Sequence, residues 1–172
     1  MLSRTEMNSG FASLEASVVN YTPDRVGGYN AILGDNASVE NYAEDTLIAC
    51  DGEIFNYADN AVITCGDSDN SIINLGDNVE IQTGKGNDQI ISIGLSTVII
   101  AGAGNDDIYV MGQNSEVYGQ DGDDTIYAQD KKINVYAGAG DDMVCNSPVS
   151  IPNNVYNFLR NLLKIKYPER FQ

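Results

Sequence analysis

The loop Thr83-Gly-Lys-Gly-Asn-Asp88 recurs every 18 residues, as Ala101-Gly-Ala-Gly-Asn-Asp106, Gly119-Gln-Asp-Gly-Asp-Asp124 and Ala137-Gly-Ala-Gly-Asp-Asp142. The fourth position is glycine and the sixth is aspartate in all four copies. A short run of strand-forming residues follows each copy, such as Gln-Ile-Ile after the first. Self-similarity at a fixed period is the signature of a repeat architecture, so this stretch decides the fold.

Apolar residues repeat at half that period. One of them recurs every nine positions, in the series Ile54, Ile63, Ile72, Ile81, Ile90, Ile99, Ile108, Val117, Ile126, Val135 and Val144. The unit is therefore a nonapeptide, a six-residue turn plus a three-residue strand, and two units make one coil. The intervening turns at 92–97, 110–115 and 128–133 share no acidic pattern, so the two edges of the predicted solenoid differ in chemistry.

The repeat resembles the calcium-binding nonapeptide (RTX) repeats, whose pattern is G-G-x-G-x-D-x-U-x. That resemblance implies an all-β fold, a right-handed parallel β-roll or β-solenoid built of nonapeptide half-coils. The residues suit this fold, because glycine permits the positive φ angles of a tight turn. Parallel strands stack about 4.8 Å apart, which brings aspartates of successive loops within reach of one ion. Calcium binds six to eight carboxylate and carbonyl oxygens at roughly 2.3–2.6 Å.

The candidate metal ligands are the loop aspartates and the carbonyls of two positions in each loop. They are Gly84, Gly86, Asp88, Gly102, Gly104, Asp106, Gln120, Gly122, Asp124, Gly138, Gly140 and Asp142. An ion between each pair of consecutive loops gives three Ca²⁺ sites. Gln120 replaces a glycine, which is tolerable if its backbone angles allow. The alternative is that these residues only form turns in a metal-free β-helix.

A fourth site is weaker or empty by the same reasoning. The segment Cys65-Gly-Asp-Ser-Asp-Asn70 keeps the register of the loops but has Ser68 in place of glycine and Asn70 in place of aspartate. A site between Asn70 and Asp88 would therefore lose a charged ligand.

The chain divides into an N-terminal cap at 1–32, the calcium-binding β-roll at 33–146 and a C-terminal helical cap at 147–172. Phe11, Leu14, Val18 and Val19 have loosely helical spacing, and solenoids need a terminal cap. Residues 42–50 and 57–65 resemble one another, so the six residues between them predict a coil with a shortened turn.

The C-terminal segment predicts an amphipathic helix. Its apolar residues are Val155, Phe158, Leu159, Leu162 and Ile165, and its other face has Arg160, Lys164 and Lys166. We expect its apolar face to cover the last coil. A secretion signal or a membrane-surface helix are the alternatives.

Two features outside the loops have alternative interpretations. Cys50 and Cys65 lie inward on neighbouring coils, either as buried thiols or as a disulfide. Outward ladders are expected at Ile73, Ile91, Tyr109, Tyr127 and Cys145, and at Gln82, Ile100, Tyr118 and Tyr136. They either stack on one another or form an exposed strip for a protein, a glycan or self-association.

Composition narrows the function. The 172 residues contain 9 basic and 25 acidic residues and no histidine, for a net charge of −16. This balance argues against nucleic-acid partners. The lack of histidine excludes H-E-x-x-H and Ser-His-Asp chemistry, so we expect no enzyme activity. No apolar run is long enough for a transmembrane segment.

The sequence thus predicts a non-enzymatic calcium-binding module that folds when calcium binds, because the aspartate rows repel one another without metal. The RTX resemblance implies a bacterial protein with an extracellular location, reached by type I secretion, and a role in structure, secretion or adhesion. The alternative is a carbohydrate-binding accessory module of a secreted polysaccharide-active enzyme.

Overall fold

A computed structural model describes residues 18–20, 30–130, 132–146, 157–158, 160–162, 164 and 168. The strands are β1 (Val18–Asn20), β2 (Asn30–Asn41), β3 (Thr46–Asn56), β4 (Val62–Thr64), β5 (Ser71–Asn74), β6 (Glu80–Gln82), β7 (Gln89–Ser92), β8 (Val98–Ala103), β9 (Asp107–Val110), β10 (Glu116–Asp121), β11 (Thr125–Ala128), β12 (Asn134–Ala139) and β13 (Met143–Cys145). Residues 157–158, 160–162 and 164 belong to a short C-terminal helix.

All strand pairs are parallel, and the chain winds as a β-solenoid. The long strand β3 contributes to both faces, because its first half pairs with β4 and its second half with β5. From there the chain alternates, so that β4, β6, β8, β10 and β12 line one face, and β5, β7, β9, β11 and β13 line the other. This arrangement confirms the predicted all-β parallel solenoid.

The register gives the length of each coil. Ile72 pairs with Ile90, and Ile108 with Ile126, each 18 residues apart. Leu47 instead pairs with Val62, only 15 residues along. The shortened turn predicted between the two similar segments is therefore confirmed.

The apolar series forms the core. Its members from Ile54 to Ile126 are fully buried, as predicted. Burial decreases at the last coil, where Val135 is partly buried and Val144 is 41% exposed. Cys50 and Cys65 join this core and form no disulfide, and burial raises the pKa of the Cys65 thiol. The buried-thiol interpretation is the one that the structure supports.

A second, polar ladder runs beside the core, and the sequence analysis did not find it. Asn41 Nδ2 donates to Asn56 Oδ1 at 2.7 Å, and Asn56 Nδ2 donates to Asn74 Oδ1 at 2.7 Å. Each amide also donates to the carbonyl two residues on, for example Asn56 to Ala58 at 2.8 Å. These asparagines are fully buried, yet their amide groups satisfy one another from coil to coil.

The N-terminal boundary differs from the prediction. Val18 and Val19 were expected in a cap with helical spacing, but they lie in β1, which pairs with β2 at Val39 and Glu40. The expected boundary between residues 32 and 33 falls inside β2. Two adjacent valines are compatible with both the helical and the strand period, so their spacing alone did not identify β1. The other predicted cap residues, Phe11 and Leu14, lie outside the described residues.

One of the two outward ladders is covered. Ile91 and Tyr109 are 8% and 9% exposed, and they form a cluster with Leu75 and Ile93 against which Leu162 of the C-terminal helix packs. The helix residue Leu162 therefore contacts the side of the solenoid, whereas Val144 of the last coil stays open. The expectation that Ile91 and Tyr109 face solvent was wrong, because turn residues and a side chain from a distant segment pack around them. Three other predicted apolar residues of this helix, Val155, Leu159 and Ile165, lie outside the described residues.

The other ladder remains more open. Tyr118 and Tyr136 stack with ring centroids 4.8 Å apart, and Tyr136 is 52% exposed. Tyr109 and Tyr127 stack similarly, at 4.8 Å, on the covered face. Binding of a partner through these ladders stays a prediction. No helix among the described residues has the length and apolar character needed to cross a membrane.

The asparagine ladder should be important for stability. We expect Asn56→Ala to lower the free energy of unfolding by about 1–3 kcal/mol, because it removes the buried hydrogen bonds that the Asn56 side chain forms with Asn41, Asn74 and the Ala58 carbonyl. Asn134→Ala, at an exposed strand position, is the matched control and should change it by less than about 0.5 kcal/mol. Urea unfolding measures the change in the free energy of unfolding for each variant. Equal changes in the two variants would contradict a stabilising role of the asparagine ladder.

Candidate metal centre

The loop aspartates form one continuous row, here called the aspartate row (Asp88, Asp106, Asp124 and Asp142). The first three are 1% exposed, and Asp142, on the last coil, is partly buried. Each uses Oδ1 to accept the backbone N–H of the residue one coil earlier. Asp88 N donates to Asp106 at 2.8 Å, and Asp106 N donates to Asp124 at 2.9 Å. The row is thus held at the coil spacing by the backbone itself.

The second carboxylate oxygens have no protein partner. Oδ2 of Asp88, Asp106 and Asp124 is buried, and no described residue donates a hydrogen bond to it. A buried acceptor without a partner costs about 1–3 kcal/mol, and more when it is charged. Three such oxygens at the same position of successive loops mark places where a cation would supply the missing interaction.

The loop backbone has the conformation that the glycines were expected to provide, but only in three of the four loops. Gly102, Gly104, Gly122, Gly138 and Gly140 have φ between 103° and 145°. Gln120 shares this conformation, with φ 82°. Gly84 and Gly86 are not among the positive-φ residues, so the first loop has a different backbone from the other three.

Carbonyl oxygens of successive loops are closely stacked. The carbonyls of Gly84, Gly86, Gly104, Gln120 and Gly122 each lie in the space that a Cβ would fill on the residue one coil later. Asp124 Oδ2 similarly lies where a side chain on Gly119 would stand. The absence of side chains therefore brings backbone oxygens and carboxylates together at this edge.

Burial and like charge perturb the carboxylates. Desolvation, opposed in part by the hydrogen bond from the Asp88 N–H and aided by the charges of Asp88 and Asp124, raises the pKa of Asp106 to about 6. Desolvation also raises the pKa of Asp88, an effect that Thr83 and Asn70 offset in part. Desolvation and the charge of Asp142 raise the pKa of Asp124, and the hydrogen bond from the Asp106 N–H partly offsets this. The row is thus electrostatically unfavourable until a positive charge neutralises it.

The donor set fits calcium. Among the described residues, no three side chains of His, Cys, Asp or Glu converge on one point. Each interval of the row offers instead two carboxylates and nearby backbone carbonyls, which is the oxygen chemistry that Ca²⁺ accepts with flexible geometry. The predicted ligand positions are brought to one edge of the solenoid, with Gly138, Gly140 and Asp142 at its exposed end.

Comparison with protein families agrees with this geometry. A family model described as RTX calcium-binding nonapeptide repeat (4 copies) matches residues 100–130. This match and the parallel solenoid fit an RTX β-roll domain. The match spans the loops with positive φ at 101–106 and 119–124, where the backbone has the repeat conformation. Searches of curated proteins and of solved structures found no match to the chain.

A second, exposed ladder follows the aspartate row, and the sequence analysis missed it. Asn87 N donates to Asp69 Oδ1 at 2.7 Å, and Asn105 N donates to Asn87 Oδ1 at 2.8 Å. Asp123 and Asp141 continue the series. The sequence did contain a signal for it, because the fifth residue of every loop is Asn or Asp. This outer ladder forms hydrogen bonds that hold the turn of each loop against the next.

The left-handed conformation of Gln120 predicts a stabilising substitution. Gln120→Gly should raise the free energy of unfolding by about 1 kcal/mol, because a side chain at positive φ is strained and glycine is not. Gln82→Gly, on an exposed strand position without positive φ, should lower it by about 0.5–1 kcal/mol. Thermal unfolding with calcium present compares them, and a destabilised Gln120→Gly would contradict the assignment of strain.

The raised pKa of Asp106 predicts a pH dependence of the calcium-free protein. The folded state holds this proton more tightly than the unfolded state, so its stabilising effect is present below about pH 4 and is lost as the pH rises through about 6. Asp106→Asn removes the titration. We therefore expect the melting temperature of the unsubstituted protein to fall relative to Asp106→Asn across this window in EDTA.

Calorimetry of both proteins in EDTA at several pH values tests this. Glu80→Gln, which makes the same change in charge at an exposed strand position, is the control. If the amides of β9 stay protected from hydrogen exchange in EDTA, a difference between Asp106→Asn and the unsubstituted protein that does not vary with pH would show that Asp106 titrates normally.

Proposed function

We propose that the protein is a calcium-binding module in which Ca²⁺ ions lie in a row between the loops at 83–88, 101–106, 119–124 and 137–142. The observation that supports this most directly is the set of buried Oδ2 atoms without a partner on Asp88, Asp106 and Asp124. The ligands would be these carboxylates, Asp142, and the carbonyls of Gly84, Gly86, Gly102, Gly104, Gln120, Gly122, Gly138 and Gly140.

Calcium binding would drive folding of these coils. Without metal, the row places partly desolvated carboxylates on successive coils, where Asp88 and Asp124 raise the pKa of Asp106 and Asp142 raises the pKa of Asp124. The strands between the loops are only three to six residues long, so little apolar burial offsets that repulsion. Metal binding would therefore contribute folding free energy, as in other sites that do not exist in the unfolded chain.

The charge of the sites suits the calcium concentrations found outside the cell. Four aspartates shared by three ions give little more than one carboxylate per ion, and a site with fewer charged ligands binds calcium more weakly. Extracellular modules bind calcium with dissociation constants of roughly 10⁻⁴–10⁻³ M. We infer that the chain remains partly unfolded in a calcium-poor cytoplasm and folds after type I secretion, where it serves structure, export or adhesion rather than catalysis.

A calcium titration of the EDTA-treated protein tests this function. We expect uptake of about three ions per chain with a gain of β-structure, measured by calorimetry and circular dichroism. Asp124→Asn, which serves two intervals of the row, should reduce uptake to about one ion. Asp107→Asn removes the same charge from an exposed strand position and should leave uptake unchanged.

A contrary result is equally clear. A protein that is fully folded in EDTA and takes up no calcium would show that the loops are only turns of a metal-free solenoid.

A further inference from the structure

We propose that the side-chain amide of Asn70 ends the calcium row by occupying the place of an ion, and that the coils before it fold without metal. This inference rests on the proposed function. It concerns the loop Cys65–Asn70, which has the register of the metal loops but not their aspartate.

The hydrogen bonds of Asn70 fix the orientation of its amide. Asn70 is 3% exposed, and its Oδ1 accepts the Gly52 N–H at 2.8 Å. Nδ2 therefore faces the next loop, where it donates to Ser68 O at 2.6 Å and to Asp88 Oδ1 at 3.0 Å. A flipped amide would place an oxygen against both acceptors and a donor against the Gly52 N–H, so the hydrogen bonds allow only this orientation.

The groups that the amide contacts are those that calcium would bind. A loop carbonyl and a carboxylate are both hard oxygen ligands, and here an N–H group satisfies each of them. The amide is neutral, so it adds no charge to the row and needs no cation. The Asn70 amide thus satisfies the oxygens between its own loop and the loop of Asp88. An aspartate at this position would have required an ion there.

The distribution of unpaired buried atoms agrees with a boundary at this residue. All the buried side-chain atoms without a partner among the described residues lie after Asn70, on Asp88, Asp106, Asp124 and Gln129. Before it, the buried polar ladder at the opposite edge, Asn41, Asn56 and Asn74, is satisfied by amide–amide hydrogen bonds. Among the described side chains of the first part of the solenoid, no buried polar group is left for a metal to satisfy.

The consequence is a folded platform from which calcium extends the fold. In a solenoid each coil contacts only its neighbours, so added coils propagate from an existing end more readily than they nucleate alone. Strands β3 to β5 would remain paired in EDTA, whereas β10 to β13 would form only with calcium. Calcium would then control the length of the folded solenoid.

The decisive substitution converts the boundary residue into a ligand. Asn70→Asp removes the amide donors and restores the loop aspartate, so we expect the calcium stoichiometry to rise by about one ion per chain, measured by calorimetry and native mass spectrometry. Asn87→Asp is the matched control, because it adds the same charge to the exposed ladder beside the row and should add no ion. Because Ser68 replaces the loop glycine, the double substitution N70D/S68G is measured as well.

Hydrogen exchange of the unsubstituted protein in EDTA gives a second, independent result. We expect protected amides in β3 to β5 and exchange at least about tenfold faster in β10 to β13. The inference is wrong if these strands exchange alike. It is also wrong if neither N70D nor N70D/S68G binds a further ion while the unsubstituted protein binds its own. An unsubstituted protein that binds no calcium would instead overturn the proposed function.

Discussion

The constraint on which the structure depends is the stacking of identical polar positions at the spacing of the coils. A parallel solenoid places each side chain above its counterpart one coil earlier, so any charge in the repeat becomes a row of like charges. Asp88, Asp106 and Asp124 show this directly, because each accepts a backbone N–H from the previous coil while its other oxygen stays buried and unpaired. The chain must neutralise such a row or replace it.

Both solutions occur in this molecule. Asparagine has a donor and an acceptor, so a column such as Asn41, Asn56 and Asn74 satisfies itself with no external partner. Aspartate has only acceptors, so its column needs a cation between members. Asn70 joins the two systems, because its amide donates to Asp88 as one asparagine donates to the next. In the proposed function, the choice between an amide and a carboxylate at one position would thus decide whether a coil depends on metal.

The sequence predicted what is local and periodic. The apolar series from Ile54 to Ile126 and the aspartate row were predictable because each repeats at a fixed interval. The conformations of Gly84 and Gly86 were not, because their sequence matches that of loops with a different backbone. The cluster that contains Tyr109 is packed against by Leu162, a contact between segments far apart in sequence that no periodicity predicts. The asparagine ladder escaped notice because Asn beside a turn is ordinary, and only the register shows that the amides meet.

The core and the edges of the solenoid have separable roles. The isoleucines are fully buried on both sides of Asn70, from Ile54 and Ile63 to Ile108 and Ile126, so the apolar core offers the same interior to both parts. Any difference in stability between them must then come from the polar columns at the edges. Since the cost of a column of carboxylates is electrostatic and that of a column of amides is not, a divalent cation stabilises one part selectively. Under the proposed function, a uniform core with two kinds of edge would therefore give one fold in which only some coils respond to calcium.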